Sequence, residues 1–351
     1  MDADEIWDRI KDVIFFFLPV LTVISMASFL ALIMTLSQLD VQASVFVADE
    51  ESGTSGQAFA GLGNALIFII PAIVGSFVIV AAVRYGKKRL LKMVFRGLLT
   101  LTTAMIIMMF LYILSELISS VTWWTYASTI PFMGTVITVG IDSGSFLLYL
   151  VMAFIGGYVT TAVIFTRGFK RSERNGALIL LSAFMGAFMA VIMPTWTILF
   201  LLIGLALWDI YAVFKGPIKD MVELDMKGNM MASLRDRIDL DPLGDKSEEF
   251  PFQNMTYDSG TWALGIGDLV FYSVLGAHSL FYSIPYVRTE GIWMMPFFFV
   301  PVLIAILAGF AYTIYRLTRS KGDSILPGLP IPMFLGVGVF VIMMIIARFV
   351  I

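Results

Sequence analysis

Residues 262–275 read WALGIGDLVFYSVL and set a carboxylate, Asp268, in sequence that is otherwise apolar or small. A second run, LIGLALWDIYAVF over residues 202–214, does the same with Asp209. A carboxylate inside a bilayer span costs about 2.5 to 3.5 kcal/mol even on lenient insertion scales, so its presence points to function by default. Of the 26 Asp and Glu residues these two sit well inside apolar sequence, whereas Glu116 and Asp142 read as lying near the outer surface. What the pair does depends on whether the surrounding runs cross a membrane.

The composition says that they do. Of 351 residues 59% are hydrophobic and 14% charged, with a mean hydropathy of +0.91, against roughly 25% charged in a soluble chain. That excludes a soluble enzyme and a disordered or fibrous chain. A span needs about 20 apolar residues, and nine such runs are legible: Val13–Leu36, Gly61–Val83, Gly97–Leu117, Phe146–Phe165, Ala177 to about Met193, Thr195–Phe214, Thr261–Tyr282, Met294–Tyr315 and Leu329–Phe349. Met193-Pro194-Thr195 parts the fifth from the sixth, and proline there favours a tight turn because it lacks a backbone donor. The N-terminus, MDADEIWDRIKD, is acidic and lacks a basic signal region, so the first run reads as a retained span.

Cytoplasmic loops collect lysine and arginine. With nine spans and the N-terminus inside, 21 of the 23 basic residues fall on the inner side, and Arg288 and Arg348 remain outside. The expected fold class is therefore an all-α polytopic membrane protein with nine transmembrane helices, N-terminus cytoplasmic and C-terminus outside, multi-pass in the cell membrane. It divides into an N-terminal six-span part (1–214), a cytoplasmic loop (215–260) and a C-terminal three-span part (261–351). The loop carries six basic and ten acidic residues. Its stretch Lys219–Leu240 reads either as an interfacial amphipathic helix or as a solvated linker, and the sequon at Asn254 reads as idle on the inside.

With no cysteine and one histidine, His278, the chain has no material for disulfides, iron–sulfur clusters, thiolate zinc or a multi-histidine metal centre. No cofactor and no metal are expected. The net charge of -3, spread over many loops, gives no nucleic-acid footprint.

Topology sharpens the reading of the two acids. Asp209 lies six residues before Lys215, about 9 Å above the inner boundary, and Asp268 ten residues after Asp258, about 15 Å if all of that is helical. Sequential helices tend to be neighbours, so the two carboxyls are expected to face each other, with Gly265 three residues before Asp268 opening the same helix face. Two close carboxyls share a proton and titrate as a coupled pair. One then deprotonates a water while the other, protonated, polarises a peptide carbonyl. Chemistry alone leaves three uses open: a hydrolase, a proton-coupled secondary transporter, and structural pairing.

Gly265-Ile266-Gly267-Asp268 followed by Leu269-Val270-Phe271-Tyr272, an aspartate in the preceding span, and Leu326-Pro327-Gly328-Leu329-Pro330 before the ninth span together resemble the presenilin and signal peptide peptidase family of GxGD intramembrane aspartyl proteases, in its archaeal form. The resemblance covers essentially the whole chain. It implies an aspartic endopeptidase that cleaves the transmembrane segments of membrane-protein substrates within the lipid bilayer. Asp209 and Asp268 are the implied catalytic pair. The PAL element, here Pro327, Gly328 and Leu329, is implied to bind substrate, with Gly265 and Gly267 beside the second aspartate. No accessory subunit is expected to be required, and nothing marks an oligomeric state. Two departures stand out: Trp208 where the family usually has tyrosine, and Gly328 for the alanine of PAL.

The PAL element has a physical reading of its own. Pro327, Pro330 and Pro332 oppose a regular helix start, leaving backbone groups unpaired, and these survive at membrane depth only beside a watery cavity or a partner strand. An extended substrate would bond to such edges by strand addition. The bland alternative is that the prolines only end a loop. Among other proteases, a prepilin-type peptidase shares GxGD but is typically followed by Val-Lys, against Leu269-Val270 here. A rhomboid-like enzyme would have to pair His278 with Ser143 or Ser145, a poor match, and a lone histidine in a span is more often a packed residue. A transporter would show inverted repeats, and none is evident.

Overall fold

The computed structural model describes residues 3–36, 53–120, 131–132, 135–136, 143–166, 168–216, 256–258, 263–319 and 328–350. Among them are nine helices: α1 (Ala3–Leu36), α2 (Gly53–Arg84), α3 (Lys88–Ser120), α4 (Ser143–Phe165), α5 (Arg171–Ile192), α6 (Thr195–Phe214), α7 (Ile266–Glu290), α8 (Met294–Arg319) and α9 (Pro330–Val350). Two short antiparallel hairpins accompany them, β1 (Pro131–Phe132) with β2 (Thr135–Val136), and β3 (Thr256–Asp258) with β4 (Ala263–Gly265). Each apolar run of the sequence coincides with one helix. Several helices outrun their apolar segment: α2 begins at Gly53 and α3 at Lys88, because helical hydrogen bonding continues into the polar interface where hydropathy has already fallen.

Eight of the nine helices are long and apolar enough to cross a membrane, so the chain is a multi-pass membrane protein. The ninth, α7, has 25 residues, about 37 Å of helix, but carries Asp268, Ser273, His278, Ser279 and Ser283. Its position explains the composition. It packs against α1, α5 and α8, and Leu269, Tyr272, Ser273, Leu275, His278 and Ser279 are fully shielded. Protein surrounds the three serines and the histidine, so lipid does not dictate their type. The helices that do present large apolar side chains outward are chiefly α2, α3 and α4, through residues such as Phe77, Met105 and Phe154.

Lipid tails are as apolar as leucine, so helices associate in a bilayer through close packing of small residues rather than by escaping water. Gly186 of α5 lets Ser273 of α7 lie against its Cα, and a Cβ there would fall on the serine hydroxyl. Gly309 of α8 takes the backbone of Pro332 in α9 the same way, since a Cβ would stand 2.5 Å from Pro332 Cα. One core joins α1, α5 and α6 to α7, α8 and α9, so helices from both halves of the sequence share one bundle.

Three expectations are corrected. The seventh helix begins at Ile266, not Thr261, because Ala263–Gly265 pairs as a strand with Thr256–Asp258, in the register Tyr257 to Leu264. Gly265 is therefore the extended N-cap of α7, with φ -64° and ψ 143°, not a position on its helical face. Nor are α6 and α7 close neighbours: α6 packs chiefly on α2 and α9, and touches α7 only slightly. The Met193-Pro194 turn is as expected, with Met193 extended and Pro194 capping α6. Lys219–Leu240, Asn254, Asp142 and Pro327 lie outside the described residues.

Candidate active site

Asp209 stands on α6 five residues before its last residue, Phe214, about 7.5 Å from the helix end. Asp268 is the third residue after the Gly265 cap, in the first turn of α7. The rise of 15 Å expected above Asp258 is therefore not there, because Ala263–Gly265 pairs back onto Thr256–Asp258 as a strand and only about 3 Å of helix precedes Asp268. First-turn residues of a helix carry amide N–H groups with no intrahelical acceptor, so Asp268 sits where backbone polarity favours an acceptor.

Both carboxylates lie against the lead into α9. Gly328 and Leu329 form a bend, and Pro330 opens the helix at its first position, where a missing N–H costs nothing and φ is already helical. The Leu329 N–H donates to Asp209 Oδ2 at 3.4 Å, at the long end for such a bond. Gly328 stands over the other acid: a Cβ there would be 2.7 Å from Asp268 Oδ2 and 3.4 Å from its Cγ. The Gly328–Leu329 pair is thus bracketed by Asp209 and Asp268.

The backbone of this element is not left open as the prolines suggested. Beyond the Leu329 N–H, the Gly328 carbonyl accepts a bond from the Tyr272 hydroxyl at 2.8 Å. Tyr272 lies one helical turn after Asp268, is fully buried, and packs edge-on to Phe310 of α8 with ring centroids 6.1 Å apart. Sequence reasoning did not single it out; the available signal was its i+4 spacing from Asp268, which puts both on one face of α7. Gly265 also borders the acid, since a Cβ there would be 3.6 Å from Asp268 Oδ2. Gly267 is exposed, and a Cβ on it would meet only Phe271, at 4.0 Å. In the hairpin just before α7, burial raises the Tyr257 phenol above its ordinary value, so it remains neutral at physiological pH.

Two other residues are settled by their contacts. Trp208, beside Asp209, places its ring against Phe77 of α2 and Tyr211. His278 has Nδ1 2.7 Å from the Ala190 carbonyl and Nε2 3.1 Å from Thr195 Oγ1. A carbonyl only accepts, so Nδ1 carries the proton and Nε2 accepts from the threonine. The histidine ties α7 to the α5–α6 turn, with both nitrogens engaged. Among the described residues no cluster of three or more His, Asp or Glu is arranged to hold a metal.

A family model described as Presenilin matches residues 8–231. The chain belongs to the presenilin family. The matched region contains Asp209 and ends before Asp268. Presenilin-B of Dictyostelium discoideum is 27% identical over 197 residues, which is 54% of this chain and 34% of that protein; the match thus spans about a third of the relative's length. Among solved structures, a presenilin family intramembrane aspartate protease is similar, at 16% identity and a TM-score of 0.49 over 93% of this chain and 99% of that one.

Proposed function

We propose that this member of the presenilin family is an intramembrane aspartyl endopeptidase that hydrolyses peptide bonds in the transmembrane segments of membrane proteins, with Asp209 and Asp268 as its catalytic pair. The observation that carries the reading is the bracketing of Gly328–Leu329 by the two carboxylates. A transport site needs acids beside an ion path, whereas this one has both acids against a short non-helical segment, with Asp268 also bordered by the Gly265 cap that ends strand β4.

In the proposed reaction one ionised carboxylate takes a proton from water, whose oxygen attacks the scissile carbonyl carbon. The other, protonated, donates to the carbonyl oxygen. Collapse of the tetrahedral intermediate breaks the C–N bond, and a proton passes to the departing amine. Tyr272 holds the Gly328 carbonyl and so positions the PAL element, of which Pro327, Gly328 and Leu329 form the substrate side. A substrate must be unwound before its peptide bond is reachable. Strand β4 pairs with β3 through one edge, and addition of the substrate through the other would lead it past Gly265 and Gly267 to Asp268. The cell membrane, with the N-terminus cytoplasmic, is the proposed location, and single-span proteins are the proposed substrates, without accessory subunits.

The test is incubation of the purified protein with a tagged single-span substrate, wild type against Asp209→Ala. Fragments cut within the span by wild type alone support the reading; equal cleavage by both would sink it.

A further inference from the structure

The C-terminal ends of α2 and α6 enclose a cleft of about 450 Å³ that the reaction does not use. Phe77, Val80 and Ala81 of α2 line it, and Arg84, Tyr85, Tyr211 and Lys215 line it toward the ends of the two helices. Among the described residues its lining holds two cations, Arg84 and Lys215, two tyrosines and no carboxylate. Asp209 precedes Tyr211 by two residues, about 200° around the helix, so the acid points away from the cleft. The apolar wall continues into the outward face of α2, where Val74, Phe77 and Val78 are each at least half exposed. The segment that follows Arg84 adds Lys87, Lys88, Arg89, Lys92 and Arg96 with no acidic residue among them.

We propose that this cleft is a binding site for an anionic phospholipid, the phosphodiester held toward the helix ends by Arg84 and Lys215 and one acyl chain lying along Phe77 and Ala81. The chemistry of the lining chooses the ligand. Guanidinium and ammonium groups only donate, and a phosphodiester only accepts. An apolar wall open to the lipid-facing side suits an acyl chain and gives a free phosphate nothing. Basic pockets between transmembrane helices recognise lipid headgroups in this way, each nearby Lys or Arg contributing in the same sense. The bound lipid would tie α2 to α6 at the end nearest Asp209, through the Phe77 and Trp208 rings that already touch, with centroids 5.8 Å apart. The site itself does not depend on the protease reading.

The test is native mass spectrometry of the full chain with added phosphatidylglycerol, phosphatidylcholine or inorganic phosphate, which needs no activity. One phosphatidylglycerol should be retained in preference to phosphatidylcholine. Its affinity should fall on the order of thirty-fold in R84Q/K215Q, while K87Q/K92Q, with the same change of charge, keeps the tightly held lipid. Ala81→Phe, at an exposed position on the cleft wall, keeps both charges but fills the acyl groove, and should also lose the lipid even if the charge variant fails to fold. Equal losses in the two charge pairs would overturn the site in favour of a diffuse basic field. So would firm retention of phosphatidylcholine, unchanged binding in Ala81→Phe, or displacement of the lipid by inorganic phosphate alone.

Discussion

Gly328→Ala tests how closely the PAL element is fitted to the second aspartate. A Cβ at this position would lie 2.7 Å from Asp268 Oδ2, where ordinary contact begins at about 3.4 Å, so the carboxylate oxygen must retreat by about 0.7 Å. That oxygen ends a flexible side chain, so rotation of Asp268 absorbs the displacement and stability should change by less than about 1 kcal/mol. Reactivity is less forgiving: about 1 Å of misplacement costs as much as 100-fold, which scales to a fall in kcat/KM of about tenfold and at most about 25-fold. Gly328→Trp should go further and abolish turnover, because the indole fills the space an extended substrate must occupy. The assay is initial-rate cleavage of a fluorogenic single-span peptide, with thermal unfolding measured on the same samples. Full activity in both variants would refute the fit of Gly328 to Asp268 and leave the element a loop terminator. Loss of activity together with a collapse in thermal stability would show a structural effect and count against the substrate-side role.

Tyr272→Phe removes the donor to the half-buried Gly328 carbonyl, at a cost of about 0.5 to 1.5 kcal/mol; thermal unfolding should show this, and kcat should fall more than KM rises. The pH profile of kcat/KM should be bell-shaped: activity is lost at low pH as the base carboxylate protonates and at high pH as the shared proton leaves, so a rate flat across both limbs, with chemistry limiting, would contradict a shared-proton pair. His278→Ala orphans the Ala190 carbonyl and should destabilise the bundle by about 1 to 3 kcal/mol, while the folded fraction keeps wild-type turnover, since neither ring nitrogen faces the aspartates.

The spans were legible because bilayer thickness imposes one apolar length on each of them, and Thr261–Tyr282 read as such a run despite Asp268 and its serines. The start of α7 was not legible. Ala263-Leu264-Gly265 is as apolar as a helix turn, and only its pairing with Thr256–Asp258 makes it a strand. The two aspartates could be picked from the sequence, since an intramembrane acid is costly, but not the means of bringing them together. Neighbouring helices were expected to do it; in the structure each acid instead lies against the lead into α9, Asp268 at Gly328 and Asp209 at Leu329, 60 and 120 residues away in sequence. The Tyr272 bond to Gly328 is of the same kind, a contact across 56 residues that no local pattern encodes. Glycines such as Gly186 and Gly309 read as ordinary small residues until the opposing backbone is seen.

The central claim is that Asp209 and Asp268 together activate water against a peptide bond rather than carry protons across the bilayer. Liposomes containing the protein, a tagged single-span substrate and a trapped pH dye measure both outcomes in one vessel, for wild type, Asp209→Asn and Asp268→Asn. The account predicts fragments cut within the span for wild type, none for either variant, and no proton uptake that depends on the aspartates. Aspartate-dependent proton uptake without fragments, or cleavage that survives either substitution, would contradict it.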